Sequence, residues 1–127
     1  MPVQLNHTIV AARDAEASAR WFAQMFGLDE PVNLWHFWQV TTANAVNLDF
    51  ASTDDEIESI HYAFLVTDKE FDTIFGRIIE QGIDHWADPG RHHPGQINRN
   101  DGGRGVYFCS NDGHFLEILT VPYGGWN

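Results

Sequence analysis

"LNHTIVAARD" at residues 5–14 and "SIHYAFLVTD" at residues 59–68 are two versions of one pattern, in which a histidine opens a strand-like run and an aspartate follows seven residues later. His7 and His61 stand 54 residues apart, as do Asp14 and Asp68. A repeat held this constant restricts the fold more than any single motif, because each copy must be a structural unit that buries its apolar face in the same way. A helical pattern follows each aspartate. Residues 14–26 carry Ala15, Ala19, Phe22 and Phe26 at helical spacing, with Asp14 as N-cap and Gly27 as the stop. Residues 68–81 carry Phe71, Ile74, Phe75 and Ile78 in an i, i+3, i+4, i+7 stripe that Gly82 ends.

Strand-like segments come after each helix. In the first half they fall at 33–40 and 43–50, with a third guessed near 30–33. In the second half they fall at 84–87, 104–110 and 114–121, and the long loop "DPGRHHPGQINRNDGGRG" separates the first two. The expected fold class is therefore α+β, built from two paired βαβββ modules whose helices each need a sheet to cover. Module 1 covers about residues 1–51, the acidic stretch "STDDEIES" at 52–59 connects, and module 2 covers about 60–123. A chain of 127 residues suits a single domain spanning 1–127.

Charge and composition narrow the partners. A net charge of −11 argues against nucleic acid and anionic membranes, whose phosphates it would repel. No apolar run approaches the roughly 18 residues of a spanning helix. The start "MPVQLNHTIV" has neither the basic region nor the apolar core of a signal peptide. Cys109 is the only cysteine, so no intramolecular disulfide can form. Nothing basic adjoins it in sequence, and it reads as a small buried residue. A cytoplasmic protein is expected.

The chemistry lies in the strands. In "NDGHFLEILTV", residues 111–121, Glu117 interrupts a run that belongs in a core, and an unpaired carboxylate there is costly. Side chains alternate between the faces of a strand. Val46, Leu48 and Phe50 share one face and leave Asn47 and Asp49 on the other. His7, His61 and Glu117 fall likewise on faces turned away from the helices. If the sheets curl toward each other these groups converge, and two imidazoles with one carboxylate suit Fe(II) or a similar divalent ion. A bound cation would offset the burial of Glu117.

The stretches "LNHTIVAARDAEASARWFAQMFG", "IHYAFLVTD" and "VYFCSNDGHFLEI" together resemble the vicinal oxygen chelate superfamily of glyoxalases, extradiol dioxygenases, fosfomycin-resistance thiol transferases and bleomycin-binding proteins. The resemblance covers essentially the whole chain. It implies a curved mixed sheet around a metal cavity, with His7, His61 and Glu117 as ligands. The ion is Fe(II) or Mn ahead of Zn or Ni. It also implies a homodimer, which in some relatives shares each metal between subunits.

Several positions depart from the family pattern. Asn111 stands in the turn where the family usually has proline. Aligning "VNLDF" puts Asn47 where isomerases of the family carry Glu or Gln, and an amide is no general base near neutral pH. Asp49, roughly 6–7 Å along the strand, is then the candidate base. Tyr107, ten residues before Glu117, matches the tyrosine of extradiol dioxygenases, but "NRNDGGRG" lacks the histidine that accompanies it there. His92 and His93 lie further upstream and read as exposed loop residues.

The candidate catalytic residues are thus Tyr107 and Asp49. Candidate pocket residues are Asn47, Trp35, Trp38 and Arg104. In "LWHFWQV", 34–40, Trp35 and Phe37 alternate with His36 and Trp38, so that one pair packs on the helix and the other lines the cavity. Arg104, after two glycines, either meets an anionic substrate or is a surface arginine, the second slightly preferred. The expected function is a divalent-metal-dependent enzyme acting on a small molecule that chelates through adjacent oxygens. Dioxygenase-like chemistry ranks slightly ahead of lyase or isomerase chemistry. The alternative is a metal-free drug-sequestering protein of the bleomycin-resistance kind.

Overall fold

The computed structural model describes residues 2–126; Met1 and Asn127, the ends of the expected domain, lie outside the described residues. The chain divides into two compact units, one ending at Glu58 and the other beginning at Ser59. In the first unit β1 (His7–Ala12) and α1 (Ala15–Phe26) precede β2 (Val32–Leu34), β3 (Phe37–Thr41) and β4 (Asn47–Ser52). The second unit has the same order, with β5 (His61–Leu65), α2 (Asp68–Glu80), β6 (His85–Trp86), β7 (Gly105–Cys109) and β8 (Phe115–Leu119). The sheets run β1-β4-β3-β2 and β5-β8-β7-β6. In both, the opening strand lies parallel to the last one and the remaining pairs are antiparallel. The sequence repeat is therefore a repeat of α+β topology, two βαβββ modules. Among the described residues no helix is long and apolar enough to cross a membrane.

Helix ends follow local chemistry, and the two copies differ. Asp14 caps α1 by accepting from the Ala17 N–H, and Gly27 closes the helix at φ 66°. In the second unit the capping residue is Thr67, one position before Asp68. Thr67 accepts from the Glu70 N–H and donates its own hydroxyl to the Glu70 carboxylate, which ties the first turn of the helix to its cap. Each helix turns an apolar stripe onto one face of its sheet. Phe22 meets Phe50 with ring centroids 5.3 Å apart, and Phe71, Ile74 and Ile78 are buried in α2. Fully burying each such side chain contributes about 1.5–3 kcal/mol.

The aromatic stretch 34–40 differs from expectation. It is not one strand but a tight hairpin, with Trp35 and His36 between β2 and β3. Trp35 takes φ 60° and is 84% exposed, so it forms no cavity wall. Trp38 pairs in register with Phe50, which packs on α1, and the Arg20 guanidinium lies 5.4 Å from the Trp38 ring centre. Trp38 thus belongs to the helix side. Phe37, in line with Gln39 and Thr41, takes the face that carries Asp49 and Asn47.

Candidate metal centre

Strand register places the polar groups. In the second sheet His61 pairs with Phe115, and Glu117 lies between Ala63 on β5 and Tyr107 on β7. These positions put His61, Phe115, Glu117 and Tyr107 on the face opposite the apolar residues that meet α2. Glu117 is 1% exposed, yet its carboxylate is fully engaged. His61 Nε2 sits 3.1 Å from Oε1, and the Tyr123 hydroxyl donates to Oε2 at 2.5 Å.

The ring orientation of His61 carries chemical information. Its Nδ1 lies 2.9 Å from the Phe115 carbonyl oxygen, which can only accept, so Nδ1 bears the proton. In the neutral ring Nε2 then presents a lone pair, and that lone pair points at a carboxylate oxygen. Two acceptors in contact require a cation between them, either a second ring proton or a metal ion. A histidine whose other nitrogen donates to a carbonyl is also the usual supporting arrangement for a metal ligand. The donor set of His61 and Glu117 therefore fits a divalent metal.

The first unit carries the equivalent strand positions. His7 Nδ1 donates to Asn6 Oδ1 at 2.8 Å, which again leaves Nε2 as a free ligand atom. Asn47 pairs with His7, the place that Phe115 takes beside His61, whereas Asp49 pairs with Ile9 as Glu117 pairs with Ala63. The register counterpart of Glu117 is thus Asp49 rather than Asn47. Asp49 is nearly buried and accepts from Gln39 Nε2 at 2.9 Å, and Gln39 lies opposite it as Tyr107 lies opposite Glu117. Asn47 accepts from the Thr41 hydroxyl at 2.7 Å. The structure brings His61 and Glu117 together and leaves His7 in the other unit. Among the described residues no three His, Cys, Asp or Glu side chains gather at one point.

Arg104 does not face this side. It reaches across to α2, donating to Asp72 at 2.7 Å and Asp68 at 3.1 Å, and lies 4.4 Å from the Phe71 ring centre. The cation on the Glu117 face is Arg91. Its guanidinium sits 4.7 Å from the Trp86 ring centre and 4.8 Å from that of Phe115, and Nη2 approaches Cys109 Sγ at 3.5 Å. Cys109 therefore does have a basic neighbour, contributed by a loop distant in sequence. Among the described residues no carboxylate pairs with Arg91. The loop that carries it is tied down. Asp88 accepts the N–H groups of His92 and His93, and Asn98 exchanges backbone bonds with Gly105 while donating to the Ala87 carbonyl. The two loop histidines remain exposed.

Tyr107 is nearly buried, and its hydroxyl lies 2.9 Å from that of Tyr123. Burial raises the Tyr107 phenol above its ordinary value, against the Tyr123 hydrogen bond, which lowers it. The Tyr123 ring is exposed, but its hydroxyl end is enclosed by Glu117 and Tyr107, and that enclosure together with the carboxylate raises its phenol further. Sequence reasoning overlooked Tyr123. The available signal was its place six residues after Glu117, behind a proline that turns the chain back.

No family profile matches the chain. A curated relative, glutathione transferase FosA from Serratia marcescens, is 26% identical over 121 residues, covering 90% of this chain and 78% of that one. The solved structure of oxidase ChaP-H1 is 58% identical, covers 98% of this chain and 100% of that chain, and superposes with a TM-score of 0.95. The chain belongs to the vicinal oxygen chelate superfamily. A second solved structure, oxidase ChaP-H2, is 54% identical with 98% of each chain covered and a TM-score of 0.95.

Proposed function

We propose that this protein is a divalent-metal-dependent, oxygen-using enzyme that acts on a small molecule chelating the metal through adjacent oxygens. Its ligands are His7, His61 and Glu117, and the ion is Fe(II) or Mn ahead of Zn or Ni. The observation that carries the reading is the His61 lone pair aimed at the buried Glu117 carboxylate, with the ring locked by the Phe115 carbonyl. Similarity to two proteins named as oxidases supports oxygen-dependent chemistry over lyase chemistry. When bound, the ion would polarise the substrate oxygens and hold them in one orientation.

The chain's own residues supply the rest. Asp49, oriented by Gln39, is a carboxylate placed to accept a proton from a substrate hydroxyl at the oxygen Gln39 does not hold. Arg91, flanked by Trp86 and Phe115, takes the role expected of Arg104 and meets negative charge on a flat substrate. The protein acts as a homodimer in the cytoplasm, and Ile9, Val32, Leu34 and Leu65, all exposed in the single chain, are covered on assembly.

The test is oxygen uptake by protein reconstituted with Fe(II) or Mn(II), screened against catechols, hydroxyquinones and α-hydroxyketones. Uptake that disappears in His61→Ala supports the reading. Substrate conversion without oxygen uptake replaces it with lyase or isomerase chemistry. Ligand binding indifferent to chelator and to His61→Ala replaces it with sequestration.

A further inference from the structure

Glu117 has two oxygens, and only one faces His61. The other is claimed by Tyr123, whose hydroxyl donates to Oε2 and therefore accepts, at 2.9 Å, from the hydroxyl of Tyr107. Tyr107 is 4% exposed and stands directly opposite Glu117 across β7 and β8, so the end of this chain of hydroxyls is fixed by the sheet itself.

Tyr123 lies beyond the last strand, and its position is also built. Pro122 and Gly125 close a turn through a 2.8 Å bond from the Gly125 N–H to the Pro122 carbonyl. Gly124 occupies the turn position that requires positive φ, at 83°, and donates its N–H to Asp101 at 3.2 Å. The tail thus folds back and presents one phenol to one carboxylate oxygen.

We propose that Tyr123 is a positioning residue for Glu117, holding Oε2 so that Oε1 alone is offered to the metal. This rests on the metal-site reading above. A carboxylate restrained in this way occupies one coordination position instead of two, which leaves the neighbouring position open to substrate oxygen. Tyr107 supports it from behind. This assigns a role to a residue outside the ligand set, and it gives Tyr107 a function as part of a hydroxyl pair.

The test titrates metal-free wild type, Tyr123→Phe and Tyr107→Phe with Mn(II), and records the visible spectrum of each protein loaded with Co(II). Loss of a supporting hydrogen bond typically weakens metal affinity about 10–100-fold. Tyr123→Phe is expected to weaken Mn(II) binding in that range and to change the Co(II) spectrum as the freed oxygen enters the coordination shell. Its metal-free melting temperature should fall by no more than about 10 °C, because Glu117 Oε2 and the Tyr107 hydroxyl each lose one enclosed partner while the rest of the core is untouched. Tyr107→Phe should show a smaller change of the same kind. Wild-type affinity and spectrum in Tyr123→Phe overturn the inference and leave the metal site standing. Wild-type protein that takes up neither ion overturns the site itself, and this inference with it.

Discussion

Glu117→Gln separates a carboxylate kept for a metal from one kept for the fold. The wild-type side chain is 1% exposed and, when no metal is bound and the His61 ring is neutral, sets an acceptor oxygen against the His61 lone pair. The amide has the same shape and resolves that conflict. Its N–H would donate to His61 Nε2, and its oxygen would accept from Tyr123. With the ring neutral, replacing that acceptor–acceptor contact by a made hydrogen bond is worth about 1–2 kcal/mol of stability. For a chain of this size that is about 4–8 °C in melting temperature. Metal acts in the opposite direction. A wild-type protein at a free metal concentration 100 times Kd gains about 2.7 kcal/mol, or about 10 °C. Loss of a charged ligand should raise Kd at least about 100-fold, equivalent to about 2.7 kcal/mol, and so remove nearly all of that gain. Calorimetry in chelator and in Mn(II) should therefore show a crossing, with the variant more stable without metal and wild type more stable with it. A variant several degrees less stable in chelator, beside a wild type that ignores metal, would refute the reasoning.

Other consequences follow from the same contacts. Arg104→Ala should cost about 1 kcal/mol, because its two aspartates are exposed, and should leave metal affinity unchanged; a tenfold loss of affinity would return Arg104 to the site. Trp38→Ala should destabilise by about 2 kcal/mol through lost packing against Phe50 and Arg20, whereas Trp35→Ala should change stability by less than about 0.5 kcal/mol, both read from urea midpoints. The protein has three tyrosines, and Tyr62, Tyr107 and Tyr123 are all held above the ordinary value of 10.0, in each case first by burial. Groups raised on folding contribute stability that is complete below the unfolded value and lost as pH rises through the folded ones. Absorbance of the folded protein at about 295 nm should therefore show less ionisation at pH 10 than free phenols, which are half-titrated there, and stability should fall as pH rises above it. A full phenolate step at that pH would contradict the burial of these hydroxyls.

Fold and site were legible to different extents in the sequence. The offset of 54 between His7 and His61 exposed two equivalent modules, and strand alternation put Asp49 and Glu117 on the faces away from the helices. Both are periodic signals, which survive without knowledge of tertiary contacts. The hairpin at Trp35 and His36 was hidden because it contains none of the glycine or asparagine that usually marks a turn with positive φ. Thr67 caps α2 one position before the aspartate of the repeat, and it clasps the Glu70 carboxylate, for which the first module has no counterpart. Whether Arg104 meets substrate or lies on the surface stays open in the sequence, because its partners, Asp68 and Asp72, lie more than 30 positions away and only the packing of α2 brings them near. Arg91 and Tyr123 were overlooked for a related reason. Each reaches the site from a loop or tail whose path is set by backbone bonds to Asp88, Asn98 and Asp101, and no residue spacing records those bonds.

The most direct measurement is metal content per chain, by elemental analysis of protein prepared anaerobically without chelator or affinity tag, for wild type and His61→Ala side by side. About one Fe or Mn per wild-type chain, lost in the variant, is the result expected of a site built on His7, His61 and Glu117. Metal-free wild-type protein that also fails to take up Fe(II), Mn(II), Zn(II) or Ni(II) on reconstitution would contradict it.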